Sequence, residues 1–247
     1  MLSRENSSLF FFNPLSRQKI ELPYRNSIFN AVTFSAPPTD PNCTIYAFVM
    51  PTFNGKLYVD TFCVSQENKK WIRHAFKPSS GECDSTLVGA ICCNGVVYCV
   101  DSFGKISIFD AQESSWTRLA FAKDKGFGRV CNPYLAEFNG DIYAGKLGAH
   151  GVLDKVYKLK VDDGVTEWME LRDLDDVNLF LGPYGSCAMS SKEKKIFVSV
   201  SDCVLYNFDG DGELKKDTRF DIANSSWSDV PIWIEDWSET VNTFLND

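Results

Sequence analysis

The sequence predicts an all-β fold, a β-propeller built from four-stranded antiparallel blades, and three observations carry the prediction. First, Leu87–Phe121 divides into four apolar runs, Leu87–Cys92, Val96–Val100, Ile106–Phe109 and Trp116–Phe121. The breaks are Asn94-Gly95, Ser102-Phe103-Gly104 and Asp110–Ser115, and short runs so bounded read as consecutive antiparallel strands. Second, Asn-Gly recurs before an apolar pair at Asn94 and Asn139, 45 residues apart. Asn-Gly tolerates the positive φ angles of a tight hairpin turn. Third, Trp71, Trp116 and Trp168 open the last strand of three successive units, 45 and 52 residues apart. Periods of ~40–50 residues are those of propeller blades. An ordinary β-sandwich would also show regular turn signals, but it would not require the shared Trp position.

The elements follow in chain order. Leu9–Phe12 and Lys19–Leu22 read as a hairpin around Asn13-Pro14-Leu15-Ser16, half of a blade. A lone hairpin does not bury its faces, so its partners are expected elsewhere. The first full repeat, Ala31–Phe76, holds strands at Ala31–Ser35, Thr44–Met50, Lys56–Val64 and Trp71–Phe76. Its loop Ala36–Asn42 contains three prolines, which remove backbone donors and exclude a strand there. The second repeat is the Leu87–Phe121 stretch. The third, Tyr134–Leu171, has its hairpin at Asn139-Gly140, then Ile142–Ala144, Val156–Leu159 and Trp168–Leu171. The fourth, Leu179–Phe220, is clearest at Ile196–Val200 and Val204–Phe208, with a turn at Asp209–Gly212. Val230–Ile234 is expected to complete a blade with the N-terminal hairpin and so protect sheet edges. The expectation is therefore about five blades or part-blades over residues 1–235, truncated at the N-terminal side, then an acidic tail at 236–247.

Composition bounds the function. The 247 residues carry a net charge of −8, and the stretch from Asp221 to Asp247 holds six acids and no Lys or Arg. The rest is nearly neutral and shows no run of Lys and Arg, so nucleic acid is not an expected partner. No apolar run approaches the ~20 residues that span a bilayer, and Leu9–Phe12 is too short for a signal-peptide core. No membrane partner is expected, and the predicted location is cytoplasmic or nuclear. Nine Cys, an odd number without a Cys-x-x-Cys pair, read as small buried hydrophobes rather than as disulfides or metal ligands.

Chemistry is hard to find. The two His are His74, a framework residue in a strand, and His150, in the Gly-rich loop Lys146–Gly151. Neither stands beside a nucleophile motif. The acid pairs Asp162-Asp163 and Asp175-Asp176 suit turns or exposed corners. Asp209-Gly210-Asp211-Gly212-Glu213 lacks the later ligands of a calcium loop. The sequence thus nominates no catalytic residue, no cofactor-binding residue, no metal ligand and no cofactor.

Several pieces together are similar to the plant F-box-associated β-propeller family, of the F-box/kelch-repeat and kink-suppressor type. They are Phe11-Phe12-Asn13-Pro14-Leu15-Ser16-Arg17 with Ile20–Pro23, Phe34–Pro38 leading to Asn42-Cys43, and Asn94–Tyr98. Val156–Leu159 running to Glu167-Trp168 and Leu179–Gly182 complete the set, which covers about residues 8–235. The resemblance implies a propeller that recognises protein substrates for an SCF ubiquitin ligase. Two features depart from the family: the chain has no helical F-box stretch, and the kelch Gly-Gly doublet is missing from every repeat. Skp1 and cullin are accordingly expected as partners only if a parent protein supplies an F-box. The expected activity is non-enzymatic binding of a protein client through the loops Pro37–Asn42, Lys123–Arg129, Lys146–Asp154 and Leu174–Asn178. The alternatives are a propeller enzyme with carboxylates in its channel, or a truncated decoy or scaffold. Trp71, Trp116 and Trp168 are assigned to packing between blades.

Overall fold

Tight turns set the framework. Asn94-Gly95, Asn139-Gly140 and Asp163-Gly164 each place two successive residues at positive φ, between 47° and 85°. That is the requirement of the two-residue turns whose twist matches the flanking strands. The computed structural model describes residues 2–5, 8–12, 19–25, 29–49, 56–65, 70–77, 86–121, 133–147, 153–174, 177–181, 186–190, 204–208 and 214–216. All regular structure among them is β-strand.

Three sheets are sequential meanders. The first runs β4 (Ala31–Phe34), β5 (Thr44–Val49), β6 (Leu57–Cys63) and β7 (Ile72–Phe76). The second runs β8 (Leu87–Cys93), β9 (Val96–Asp101), β10 (Ile106–Asp110) and β11 (Ser115–Arg118). The third runs β13 (Tyr134–Phe138), β14 (Asp141–Leu147), β15 (Leu153–Asp162) and β16 (Val165–Glu170). Their first strands are neighbours, β4 beside β8 and β8 beside β13. The sheets therefore stack side by side about a common inner edge, as propeller blades do. At Gly89 the inner strands approach so closely that a Cβ would lie 3.0 Å from Leu135 Cδ1.

Apolar faces meet between blades; Trp116 and Trp168 pack backward onto the blade before them, while Trp71 stacks within its own blade and reaches back through a hydrogen bond. Trp71 stacks on Phe62 at 5.3 Å and on Phe29 at 6.1 Å, and its Nε1 donates to the Pro23 carbonyl at 2.9 Å. Trp116 lies against Phe48 and Phe76 of the first meander. Trp168, 3% exposed, donates from Nε1 to the Gly104 carbonyl at 2.7 Å and packs on Val100 and Ile106. Phe109 inserts among Tyr46, Phe48, His74 and Phe76 with ring centroids 5.6–6.3 Å apart. Aromatic pairs of this kind contribute about 0.5–1.5 kcal/mol each beyond area burial, so the seams between blades are where the fold gains stability.

Three details differ from the sequence expectation. The N-terminal hairpin, β2 (Ser8–Phe12) with β3 (Lys19–Leu22), has a third strand, β1 (Leu2–Glu5), paired to β2. Leu-Ser-Arg-Glu lacks the apolar alternation that marks a strand, which hid it. The run Trp116–Phe121 is two elements. It breaks at Leu119, and β12 (Ala120–Phe121) crosses to pair in parallel with β16 of the next blade. The Thr166 hydroxyl, fully buried, fastens this crossing by donating to the Ala120 carbonyl at 3.0 Å. The fourth sheet has the order β18-β17-β19-β20, from β17 (Val177–Leu181), β18 (Cys187–Ser190), β19 (Val204–Phe208) and β20 (Leu214–Lys216). The Ile196–Val200 strand, the Asp209–Gly212 turn, the closing strand Val230–Ile234 and the tail at 236–247 lie outside the described residues.

Candidate binding surface

In a four-strand antiparallel meander the first-second and third-fourth turns share one end, and the remaining connections share the other. The blades are aligned by their first strands, so the assembly has two chemically distinct ends. One carries the connections 35–43, 64–71, 94–95, 111–114, 139–140 and 163–164, most of them tight. The other carries 50–56, 77–86, 102–105, 119–133, 148–152 and 171–176, most of them longer. Of the four loops singled out in the sequence, Pro37–Asn42 sits at the first end. The described ends of two others, Lys146-Leu147 with Leu153-Asp154 and Leu174 with Val177-Asn178, lie at the second. Topology thus separates Pro37–Asn42 from the described ends of those two loops. Lys123–Arg129 and His150 lie outside the described residues.

Pro37–Asn42 is held rigidly. The Asp40 and Cys43 amides donate to the Pro37 and Asp40 carbonyls at 2.8 and 2.9 Å. Asp40 Oδ1 accepts the Asn42 amide, and Ser65 N–H donates to the Pro41 carbonyl of the same blade. Pro38 is buried while Pro37, Thr39, Pro41 and Asn42 are exposed. A rigid loop that exposes its tip loses little entropy on binding a partner.

Groups with reactive potential are committed to structure. His74 bridges two blades: Nε2 lies 3.1 Å from Thr61 Oγ1, and Nδ1 lies 3.2 Å from Ser114 Oγ. Burial pushes the Cys43 and Cys93 thiols up to about 11, raises Cys92 and holds Cys99 well above the usual value. Thiols so raised are poor nucleophiles. Among the described residues no group of His, Cys, Asp and Glu is arranged to hold a metal ion. Among β4, β8, β13 and β18 the one carboxylate is Glu137, whose Oε1 accepts the Gly140 amide at 2.8 Å.

One charged cluster has no counterpart in the sequence reading. Asp60, fully buried on β6, receives Nε and Nη2 of Arg73 at 2.7 and 2.8 Å and the same pair from Arg25 at 2.8 Å. Burial alone would raise the Asp60 pKa. The hydrogen bonds and charges of Arg73 and Arg25 outweigh it and hold the carboxyl below its ordinary value. Arg25 follows β3 and Arg73 lies on β7, so the cluster ties the N-terminal sheet to the first meander. The partners are 35 and 13 residues from Asp60 in sequence, with no motif to link them.

A family model described as KIB1-4 beta-propeller matches residues 1–227. An F-box/kelch-repeat protein of Arabidopsis thaliana is 31% identical over 143 residues, 55% of this chain and 36% of that protein. An F-box protein of the same plant is 23% identical over 227 residues, 87% of this chain and 60% of its own length. A second F-box/kelch-repeat protein is 23% identical over 255 aligned positions, covering 95% of this chain and 69% of that protein. The chain thus spans 36% and 60% of the length of the first two relatives.

Proposed function

This chain belongs to the KIB1-4 β-propeller family, and from that we propose that it is a protein-binding propeller that recognises clients for an F-box ubiquitin ligase. The observation that carries the reading is the match over residues 1–227 together with relatives named as F-box proteins. The physical picture agrees with it. Blades locked by interblade aromatic packing give a rigid body, and functional contacts concentrate on loops held by such a body. His74 and the thiols Cys43, Cys92, Cys93 and Cys99 are built into the framework, which favours recognition over catalysis. Coupling to Skp1 and a cullin requires an F-box on the same polypeptide.

Proximity labelling in Arabidopsis cells, with the chain expressed alone and fused behind an F-box, tests the proposal. The same client is expected in both, and its abundance falls only with the fusion. A labelled protein whose abundance is unchanged by the fusion, or no specific protein at all, contradicts the reading.

A further inference from the structure

Among the described residues the two ends of the blade stack differ in charge, and the difference has a structural explanation at one end only. At the tight-turn end, carboxylates serve the turns. Asp110 Oδ1 accepts the Gln112 and Glu113 amides, Glu137 caps Gly140, and Asp40 caps Asn42. Asp163 occupies the left-handed region, and Asp141 and Asp162 pair with Lys158 and Lys160. Asp and Asn are what such turns use anyway.

The opposite end gathers cations that no turn requires. Lys146 and Lys155 are direct partners in the β14–β15 register, and Lys56 and Lys77 flank the Leu57–Phe76 pair that ends the β6–β7 register. Lys105 opens β10 at the same end of the second meander, 6.0 Å from the centre of the Phe103 ring. Lys56, Lys77 and Lys105 are exposed, and Lys146 and Lys155 half-buried. Like charges directly opposite each other on neighbouring strands destabilise a sheet. The Lys146–Lys155 pair is such a case. Lys155 is relieved by Glu170 at 2.7 Å, whereas Lys77 and Lys105 have no ion pair among the described residues. Toward the fourth sheet the exposed Arg172 is followed by the exposed Asp173.

We infer that this end is the client-binding face and that it takes an extended, acidic peptide segment lying across the first three blades. The inference rests on the protein-binding reading and deepens it by naming the partner's chemistry. Stacked sheets lie about 10 Å apart and an extended chain advances about 3.3 Å per residue. Cations on successive blades thus match carboxylates at every third position of the peptide. A protein segment fits better than a nucleic acid, because the chain carries −8 overall and its other end is acidic, which repels a long polyanion.

The test is fluorescence anisotropy of the full chain with a labelled peptide of five Glu-Gly-Ser repeats. Controls are a peptide of the same composition with its glutamates in one block and a thymidine oligonucleotide of equal charge. The repeat peptide is expected to bind best, with affinity falling steeply as salt rises. Lys77→Glu with Lys105→Glu should weaken it about tenfold. Lys70→Glu with Lys160→Glu, at the other end and equal in charge change, should alter it less than twofold. Circular dichroism confirms that both double variants fold. Equal weakening by the two doubles, tighter binding of the oligonucleotide or of the blocked peptide, or no binding by the wild type overturns the inference. None of these results touches the protein-binding reading, which is decided by client recovery in cells.

Discussion

Asp60→Asn removes the charge that holds Arg25 and Arg73 while preserving the size of the side chain. Four hydrogen bonds of 2.7–2.8 Å converge on a carboxylate with no exposed surface. Removing one partner of a buried ion pair typically costs about 3–5 kcal/mol, because the remaining charge is left buried. Here the arginine side chains are 26% and 38% exposed and regain water, which brings the expected loss to about 2–3 kcal/mol. With a urea slope of about 1–3 kcal/mol per molar, the unfolding midpoint should fall by about 1 M at pH 7. The sign with pH follows from the depressed Asp60 pKa. Its contribution is complete above the ordinary carboxylate range and is lost as pH falls through the folded value. The gap between wild type and variant should therefore hold from pH 7 to about pH 5 and close below about pH 4. A loss below about 0.5 kcal/mol at pH 7, or a gap that persists unchanged into acid, would refute the assignment of Asp60 as the anchor of the N-terminal sheet.

Other perturbations probe the seams, the turns and the thiols. Trp168→Phe leaves the Gly104 carbonyl without its buried donor and should cost about 1–3 kcal/mol in urea unfolding. Trp71→Phe, at a half-buried position, should cost less. Ala at Gly140 must adopt φ +85° and brings its Cβ within 2.8 Å of Asn94 Nδ2, whereas Gly164 at φ +76° has nothing within 4 Å. Because the exposed Asn94 amide can swing aside, Gly140→Ala and Gly164→Ala should each cost about 1–2 kcal/mol from backbone strain, and a much larger loss at Gly140 would show that the Asn94 side chain is fixed. Iodoacetamide at pH 8 should leave Cys99, Cys43 and Cys93 unmodified in the native protein, as read by peptide mass spectrometry, and label them in urea.

The strands of the three meanders were legible because each blade is local. Apolar runs, Asn-Gly turns and a Trp at a fixed place lie within ~45 residues of chain. What escaped depends on distance. The β12 crossing is a parallel pairing to Val165 and Thr166, more than 40 residues away, so a window around Trp116 shows one continuous strand. β1 escaped because Ser3, Arg4 and Glu5 give no alternating pattern; it is identified only by its partner β2. The proposed cationic face is the deeper case. The chain shows no Lys and Arg run, because Lys56, Lys77, Lys105, Lys146 and Lys155 come from separate turns and strand ends. Only the alignment of blades collects them at one end. The same alignment sets Pro37–Asn42 at the end opposite Lys146 and Leu174.

The central claim, that this propeller works by holding a protein, is tested most directly by calorimetric titration of the purified chain with the client recovered by proximity labelling. The account predicts a saturable one-to-one complex that forms without any added cofactor. A client that shows no heat of binding and no shift on gel filtration, alongside a small molecule that the chain chemically turns over, would contradict it.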